Sequence, residues 1–421
     1  MTKNRKNNDI LLDALAEIAE KRCSESFLKI DAVSQKNAAR VLSAFNKNRV
    51  SESMFYGTTG YGYNDLGRDT LDKIYADVFG SEDALVRIQF VNGTHAITCA
   101  LFGALRPGET LLSVTGAPYD TIRTAIGIDG DYPCTLIEYG IEYRQVELNP
   151  EGLLDFDAIA RALREIKSGT VFMQRSRGYL NRPALSTDDI QKACEFIKSI
   201  NPDVNIFVDN CYGEFVETRE PTHVGADIVA GSLIKNPGGG LAPTGGYIAG
   251  RRDLVERAAM RLTVPGIGRE CGSTLGNNRL MYQGFFNAPH VTAQALKTAV
   301  FAAALFDELG FNATPRHDEQ RHDIIQIIEL GSAERVTAFC KGVQQGAPVD
   351  SYVTPEPWDM PGYTCPVIMA AGSFIQGASI ELSADAPMRE PYNVYLQGGI
   401  TYESGKIGIL KAAETLLACG S

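Results

Sequence analysis

A mostly parallel α/β sheet, covered by helices on both faces and followed by a smaller α+β region, is the fold class that the sequence predicts. Three observations carry it. Short β-rich runs alternate with helical patterns from about residue 84 to 250, and such alternation implies right-handed crossovers between parallel strands. The chain has 421 residues, of which 44% are hydrophobic and 22% charged, enough to bury a large core and divide into two or three domains. Finally, a long helical stretch over residues 290–310 leads into a region with its own strand patterns.

In chain order, apolar residues recur at helical spacing from Ile10 to about Ala39, with Leu11, Leu15 and Ile18 in the first turns. Residues 1–50 therefore read as a helical arm suited to packing on a partner subunit. The strand runs follow: "ALVRIQFV", "TLLSVT", "TLIEY", "YRQVEL", "TVFMQ", "NIFVDN", "DIVAGS" and "GGYIAG". Helical patterns such as "DFDAIARALREI" and "TDDIQKACEFIKSI" separate several of them. Residues 51–289 form the large domain of this reading, and 290–421 the linking helix and small domain, with strands at "ERVTAFC" and "SIELS".

The net charge of -11 argues against nucleic acid or an anionic membrane as a general partner. Nine singly scattered cysteines without a CxxC pair indicate neither a zinc cluster nor a disulfide framework, and point to a reducing cytoplasm. The N-terminus lacks the apolar core of a signal peptide, and no run of about eighteen apolar residues occurs. His317 and His322 in "RHDEQRHD" stand five apart on what reads as a polar surface helix, which is not a metal-ligand face.

In an open α/β sheet, ligands bind beyond the carboxyl ends of the strands. After "ALVRIQFV" come Asn92, Gly93, Thr94 and His95, then a segment of helix composition, so Gly93 and Thr94 stand at a helix N-terminus suited to an anion. Asp209 ends the apolar "NIFVDN" run and needs a cation or several donors. One strand later stand Ser232 and, three residues on, Lys235. A lysine, a buried carboxylate and an anion cradle at one sheet mouth are the parts that pyridoxal phosphate requires. The lysine forms a Schiff base, the carboxylate keeps the pyridine nitrogen protonated, and the helix terminus takes the phosphate. The glycine-proline run "NPGGGLAPTGG" after Lys235 then reads as backbone free of helix or ladder that leaves room above the cofactor. Ser-x-x-Lys also occurs in penicillin-recognising enzymes, but their Ser-Asp-Asn and Lys-Thr-Gly companions are missing.

"ALFGALRPGETLLSVTGAPYDTI", "IFVDNCYGEF" and "GADIVAGSLIKNPGGG", in this order and spacing, resemble the fold-type I pyridoxal-phosphate enzymes of transsulfuration, the cystathionine lyases and methionine gamma-lyase. "QFVNGTHAI", "QRSRGY" and "EPYNVYLQGG" are similar to the branch labelled aluminium resistance protein or methionine gamma-lyase family protein. The resemblance implies that Lys235 is the Schiff-base lysine, Asp209 the partner of the pyridine nitrogen and Tyr119 the residue stacked on the ring. It also implies that Gly93, Thr94, His95 and Ser232 surround the phosphate.

Departures from the family's pattern are equally visible. The family brings a Tyr-x-Arg pair from a neighbouring subunit; "TTGYGYNDLGRD" offers Tyr61 or Tyr63, with Arg68 out of register. Where the family binds the substrate carboxylate with arginine, "NVYLQGG" has Tyr395, so Arg389 is the replacement expected. Arg175, Ser176 and Arg177 of "MQRSRGYLN" are within reach of either the cofactor O3' or, for the two arginines, the substrate as further ligands. The expected activity is elimination from a sulfur-containing amino acid, Lys235 moving the protons with a lowered pKa, in a homodimer with shared sites that pairs into a homotetramer. An aminotransferase, or a protein that binds pyridoxal phosphate with little turnover, stays open as an alternative.

Overall fold

The computed structural model describes residues 2–360 and 365–419, with side chains from residue 10 onward. Two compact units emerge: Asn37–Phe286, and Met1–Lys36 together with Asn287–Ser421. Helices α1 (Thr2–Lys47) and α8 (Asn278–Glu308) each contribute to both. Among the described residues no helix is long and apolar enough to cross a membrane.

The larger unit is built on seven strands: β1 (Asp83–Arg87), β2 (Thr110–Ser113), β3 (Glu142–Gln145), β4 (Gly169–Gln174), β5 (Asn205–Asp209), β6 (Ile228–Ser232) and β7 (Gly246–Gly250). Their order in the sheet is β1-β7-β6-β5-β4-β2-β3. β3, β2, β4, β5 and β6 run parallel, whereas β7 is antiparallel to both β6 and β1. Helices α2 (Leu66–Phe79), α3 (Gly93–Ala104), α4 (Asp120–Ile126), α5 (Phe156–Glu165), α6 (Thr187–Ile200) and α7 (Arg252–Leu262) supply the connections. Local chemistry sets their starts. Ser186 caps α6 by accepting from the Asp189 N-H while Asp189 reaches back to the Ser186 N-H, so two otherwise orphaned donors are satisfied. One face of the sheet is closed by Ile97, Leu101, Phe172, Phe207, Ile248 and Val255, all at most 3% exposed.

The smaller unit carries an antiparallel sheet of order β10-β11-β12-β9-β8, formed by β8 (Asn312–Thr314), β9 (Gln326–Glu329), β10 (Val367–Ala371), β11 (Ser383–Pro387) and β12 (Asn393–Gln397). Helices α9 (Ala333–Gln345) and α10 (Tyr402–Cys419) share its core, where Phe306, Ile328, Phe339, Val394 and Ile409 are at most 1% exposed. The fold is the mixed α/β class expected from the sequence.

Four local expectations fail for identifiable reasons. "TLIEY" is a turn: Leu136 is buried while Ile137 and Tyr139 are exposed, and Tyr139 donates to the Thr135 carbonyl as in a helix. "ERVTAFC" is part of α9, because Val336, Phe339, Cys340 and Val343 are buried at helical spacing and Ser332 caps the start. In "SIELS" only Ser383 enters a strand, since the Glu381 carboxylate accepts from the Phe374 and Ile375 N-H groups and holds a turn. "RHDEQRHD" is irregular and not a surface helix: His317, Arg321 and Asp323 are buried, and Arg321 donates to the Pro315 carbonyl and to Gln326.

The run after Lys235 is also tighter than expected. Asn236–Gly238 form a turn of 3-10 helix, and Gly239 and Gly240 adopt left-handed φ of 53° and 70°. The turn is wedged from both sides, since a Cβ on Gly238 would lie 1.7 Å from the Leu233 carbonyl oxygen, and one on Gly284 of α8 2.2 Å from the Gly238 carbonyl oxygen. We expect Gly284→Ala to lower stability by about 1–3 kcal/mol through overpacking, read as a drop in the urea midpoint. An unchanged midpoint would show that the turn carrying Lys235 gives way freely.

Candidate active site

Three parallel strands end at one edge of the large sheet and carry the first polar groups. Gln174, last in β4, pairs in register with Asp209, last in β5. Asp209 is 7% exposed, and its carboxylate accepts from Gln174 Nε2 at 3.0 Å and from the Cys211 N-H at 3.1 Å. A carboxylate this deep needs such donors to remain charged. Gln174 also accepts, through Oε1, from the Tyr119 N-H at 2.7 Å. One amide therefore positions both Asp209 and the start of α4. The Tyr119 ring packs edge-to-face on Tyr179, with centroids 5.8 Å apart.

The start of α3 meets the end of β6. Asn92 caps the helix by accepting from the His95 N-H at 2.8 Å, leaving the Gly93 and Thr94 N-H groups without intrahelical partners. Gly93 sits against Ser232 so closely that a Cβ on it would lie 3.0 Å from the serine Cβ. Thr94 and Thr121 hydroxyls stand 2.8 Å apart, joining α3 to α4. His95 Nδ1 accepts from the Val91 N-H at 3.2 Å, so that nitrogen belongs to the turn, and burial, then Arg261, holds the imidazole pKa below its ordinary value.

Lys235 follows β6 by three residues, its ammonium 3.9 Å from the centroid of the Tyr212 ring. Among the described residues the side-chain amine makes neither a hydrogen bond nor an ion pair. Burial opposes the charge, yet Cys211, Tyr212, Asp209 and Glu214 outweigh it and hold the amine above the ordinary lysine range. Acidic groups surround the lysine, so the lowered pKa expected from the sequence for the amine freed beside a cofactor rests on the cationic ring of that cofactor. Tyr212 holds a left-handed φ of 69° to present its ring.

The structure thus brings together Asp209, Tyr119, Gly93, Thr94, Ser232 and Lys235 at one sheet edge, and adds Gln174, Tyr212 and Glu214, which the sequence did not single out. Tyr212 stands three residues after Asp209 in "IFVDNCYGEF", and that spacing was the available signal. Tyr61 lies elsewhere, 74% exposed and stacked on Tyr63 with centroids 5.6 Å apart. Arg68 donates to the Gly62 and Gly272 carbonyls at 2.7 and 2.9 Å and so pins that loop. Arg389 belongs to the smaller unit and is exposed just past β11. Arg177 is buried in the segment whose Gly178 packs on Tyr119.

Arg175 is held away from the role expected of it. As a substrate ligand it would have to face the site, but it is 0% exposed and donates to Asn210 Oδ1, to the Gly213 carbonyl and to Glu217 Oε2 at 2.9, 2.8 and 2.7 Å. Its guanidinium braces the 210–217 loop. We expect Arg175→Met to lower stability by about 3–5 kcal/mol, because Glu217 and Glu220 lose their buried cation. Chemical unfolding checks this; full stability with weakened substrate binding would restore the original assignment.

A family model described as "Methionine gamma-lyase" matches residues 12–417. The chain is similar to the YnbB protein of Bacillus subtilis strain 168, at 52% identity over 390 residues, 92% of each chain. Among solved structures it resembles a carbon-sulfur lyase involved in aluminium resistance from Clostridium novyi NT, with TM-score 0.93, 50% identity and 98% of each chain covered. A more distant likeness, of fold alone, is to the pyridoxal-5'-phosphate dependent protein YhfS of Escherichia coli, with TM-score 0.61 at 18% identity, covering 92% of this chain and 97% of that one.

Proposed function

Because the chain belongs to the methionine gamma-lyase family, we propose that it is a pyridoxal-phosphate-dependent carbon-sulfur lyase acting on a sulfur-containing amino acid. The observation that carries this reading is Lys235: a primary amine at the sheet mouth with no hydrogen-bond partner among the described residues, flanked by Asp209 and by the Gly93–Ser232 contact. The residues present fit the cofactor. The Gly93 and Thr94 N-H groups and the Ser232 hydroxyl would hold its phosphate, Asp209 its ring nitrogen, Tyr119 its ring face and Lys235 its aldehyde carbon.

Bound there, pyridoxal phosphate supplies an electron sink for the pair left when the substrate Cα-H bond breaks. The chain's own residues do the rest. Lys235 Nζ takes the proton from Cα and, as an ammonium, carries a proton onward to the departing sulfur or to a later carbon. Asp209, oriented by Gln174 and the Cys211 N-H, would pair with the protonated ring nitrogen. The products are a thiol, a 2-oxo acid and ammonia, with water consumed.

A homodimer with shared sites, pairing into a homotetramer, completes the reading. It is supported by the exposed tyrosines 56, 61 and 63 and by the Arg68 and Asp65 contacts that fix their loop outward.

On adding pyridoxal phosphate, the protein should gain a visible absorbance band that Lys235→Ala lacks. With cystathionine, methionine or cysteine it should release 2-oxo acid, ammonia and thiol without an acceptor, and Lys235→Ala should lower the rate by at least about 10²–10⁴-fold. Oxo acid formed only with an acceptor oxo acid present would make it an aminotransferase. No product from any amino acid would leave a binding protein. Gly93→Ala should raise the dissociation constant of pyridoxal phosphate roughly 5- to 150-fold, as about 1–3 kcal/mol of crowding at Ser232 implies. Equilibrium titration of the absorbance band measures it.

A further inference from the structure

Behind Lys235 the fold buries a carboxyl group that the proposed chemistry leaves without a task. Glu214 is 0% exposed. Its Oε1 accepts from the Tyr247 hydroxyl at 2.8 Å, whereas Oε2 is buried and has no hydrogen-bond partner among the described residues. β6 makes room for it at a glycine, since a Cβ on Gly231 would lie 2.6 Å from Glu214 Oε1. The Glu214 carbonyl accepts from Asn236 Nδ2 at 3.0 Å, and Asn236 directly follows the lysine. An enclosed carboxylate with one bare oxygen is strongly disfavoured, but a carboxylic acid in the same place is not.

The ionisable groups facing Glu214 come from every element around it: Tyr75 of α2, Cys211 after β5, Glu220, Lys235 and Tyr247 of β7. Among these only Lys235 can carry positive charge, and Glu220 is itself countered by Arg40 and Arg175 at 3.5 and 3.6 Å. Burial, the largest influence, pushes the Glu214 carboxyl up to about 8; the residue's own backbone N-H and then Tyr247 oppose this, Glu220 adds to it and Lys235 opposes it.

From this enclosure we infer that Glu214 is a positioning residue acting through Lys235: the acid holds its proton more tightly while the amine is neutral or covalently engaged, and yields it to solvent more readily when the amine is an ammonium. The inference rests on Lys235 being the reactive amine. Once its proton leaves, Glu214 gives the ammonium a counter-charge, and it keeps an opposing charge out of the core when the amine is neutral or covalently engaged.

The test needs no turnover. Infrared difference spectra of the cofactor-free protein follow the C=O stretch of a protonated carboxyl as pH rises. We expect a band absent from Glu214→Gln, with a midpoint near 8 in the wild type. Lys235→Ala should raise that midpoint by about one pH unit or more, since removing the cation removes its pull on the acid. Tyr247→Phe, which deletes one hydrogen bond and keeps the shape, should also raise it and decides the matter if Glu214→Gln fails to fold. Stability should follow the same proton. The unfolded carboxyl ionises near 4.5 and the folded one near 8, so this contribution is complete below 4.5 and lost as pH rises to 8; Glu214→Gln should flatten that slope in Tm.

The inference is overturned by a Glu214 band whose midpoint is the same with and without Lys235, or by the absence of any band that Glu214→Gln removes. A failure to release thiol would sink the lyase reading and leave these spectra untouched.

Discussion

Parallel pairing of β4 with β5 puts Gln174 opposite Asp209, and the site is assembled outward from that register. Directly below the pair the strands are apolar, with Phe172, Met173, Phe207 and Val208 at 0% exposure. A one-residue slip would carry Asp209 to the other face of the sheet and leave its carboxylate without Gln174. The register therefore fixes the acid, the amide that holds it and, through that amide, the backbone of Tyr119. β6 continues the same edge, pairing Ala230 with Asp209 and setting Ser232 and Lys235 beyond it. The antiparallel β7 then seals β6 from the other side and brings in Tyr247.

The arginines show why charge in a loop is weak evidence for a ligand. A guanidinium has five donors in a fixed fork, which suits it to gathering carbonyls at the ends of loops. Arg68 does this for the loop bearing Tyr61, Arg175 for the loop after Asp209, and Arg182 for the Gln174 and Ser176 carbonyls at 2.9 and 2.6 Å. Arg68 follows Gly67, Arg182 precedes Pro183 and Arg175 directly follows β4, three residues before Gly178, settings where backbone groups lack ladder partners and an arginine also looks like a ligand in sequence.

What was legible in the sequence divides along the same line. Elements with strong local signals were readable: α6 matches its helical run, and β4, β5, β6 and β7 match theirs within a residue or so. Lys235, Asp209, Ser232 and Gly93 were readable because each sits at the end of a strand or within six residues after one, where sheet topology already limits the choices. "ERVTAFC" was misread because β-branched and aromatic residues masked a helical burial period. Gln174 and Glu214 stayed hidden because their roles come from contacts across 35 and 33 positions, to Asp209 and Tyr247, which no local pattern encodes.

The segment from Asn210 to Glu217 shows where the fold accepts strain to serve the lysine. Tyr212 and Phe215 hold left-handed φ of 69° and 63°, although neither is glycine, and each departure costs about 1–2 kcal/mol. Glycine would remove the strain but also the side chains that use it: the Tyr212 ring faces the Lys235 ammonium, and Phe215, 2% exposed, packs on Phe79 and Phe285. Gly213 between them does lack a side chain, because a Cβ there would lie 2.4 Å from Arg175 Cδ. The bend is clamped at successive residues, with the Gly213 carbonyl accepting from Arg175, the Glu214 carbonyl from Asn236, the Phe215 N-H donating to Glu220 and the Phe215 carbonyl accepting from Asn37. At about 0.5–1.5 kcal/mol each, such bonds offset the two strained residues. Removing the clamp would let the bend relax toward ordinary φ, swinging the Tyr212 ring off the ammonium and opening the enclosure around Glu214. The strain and the polar network are thus one device, and what it holds still is the surroundings of a single amine.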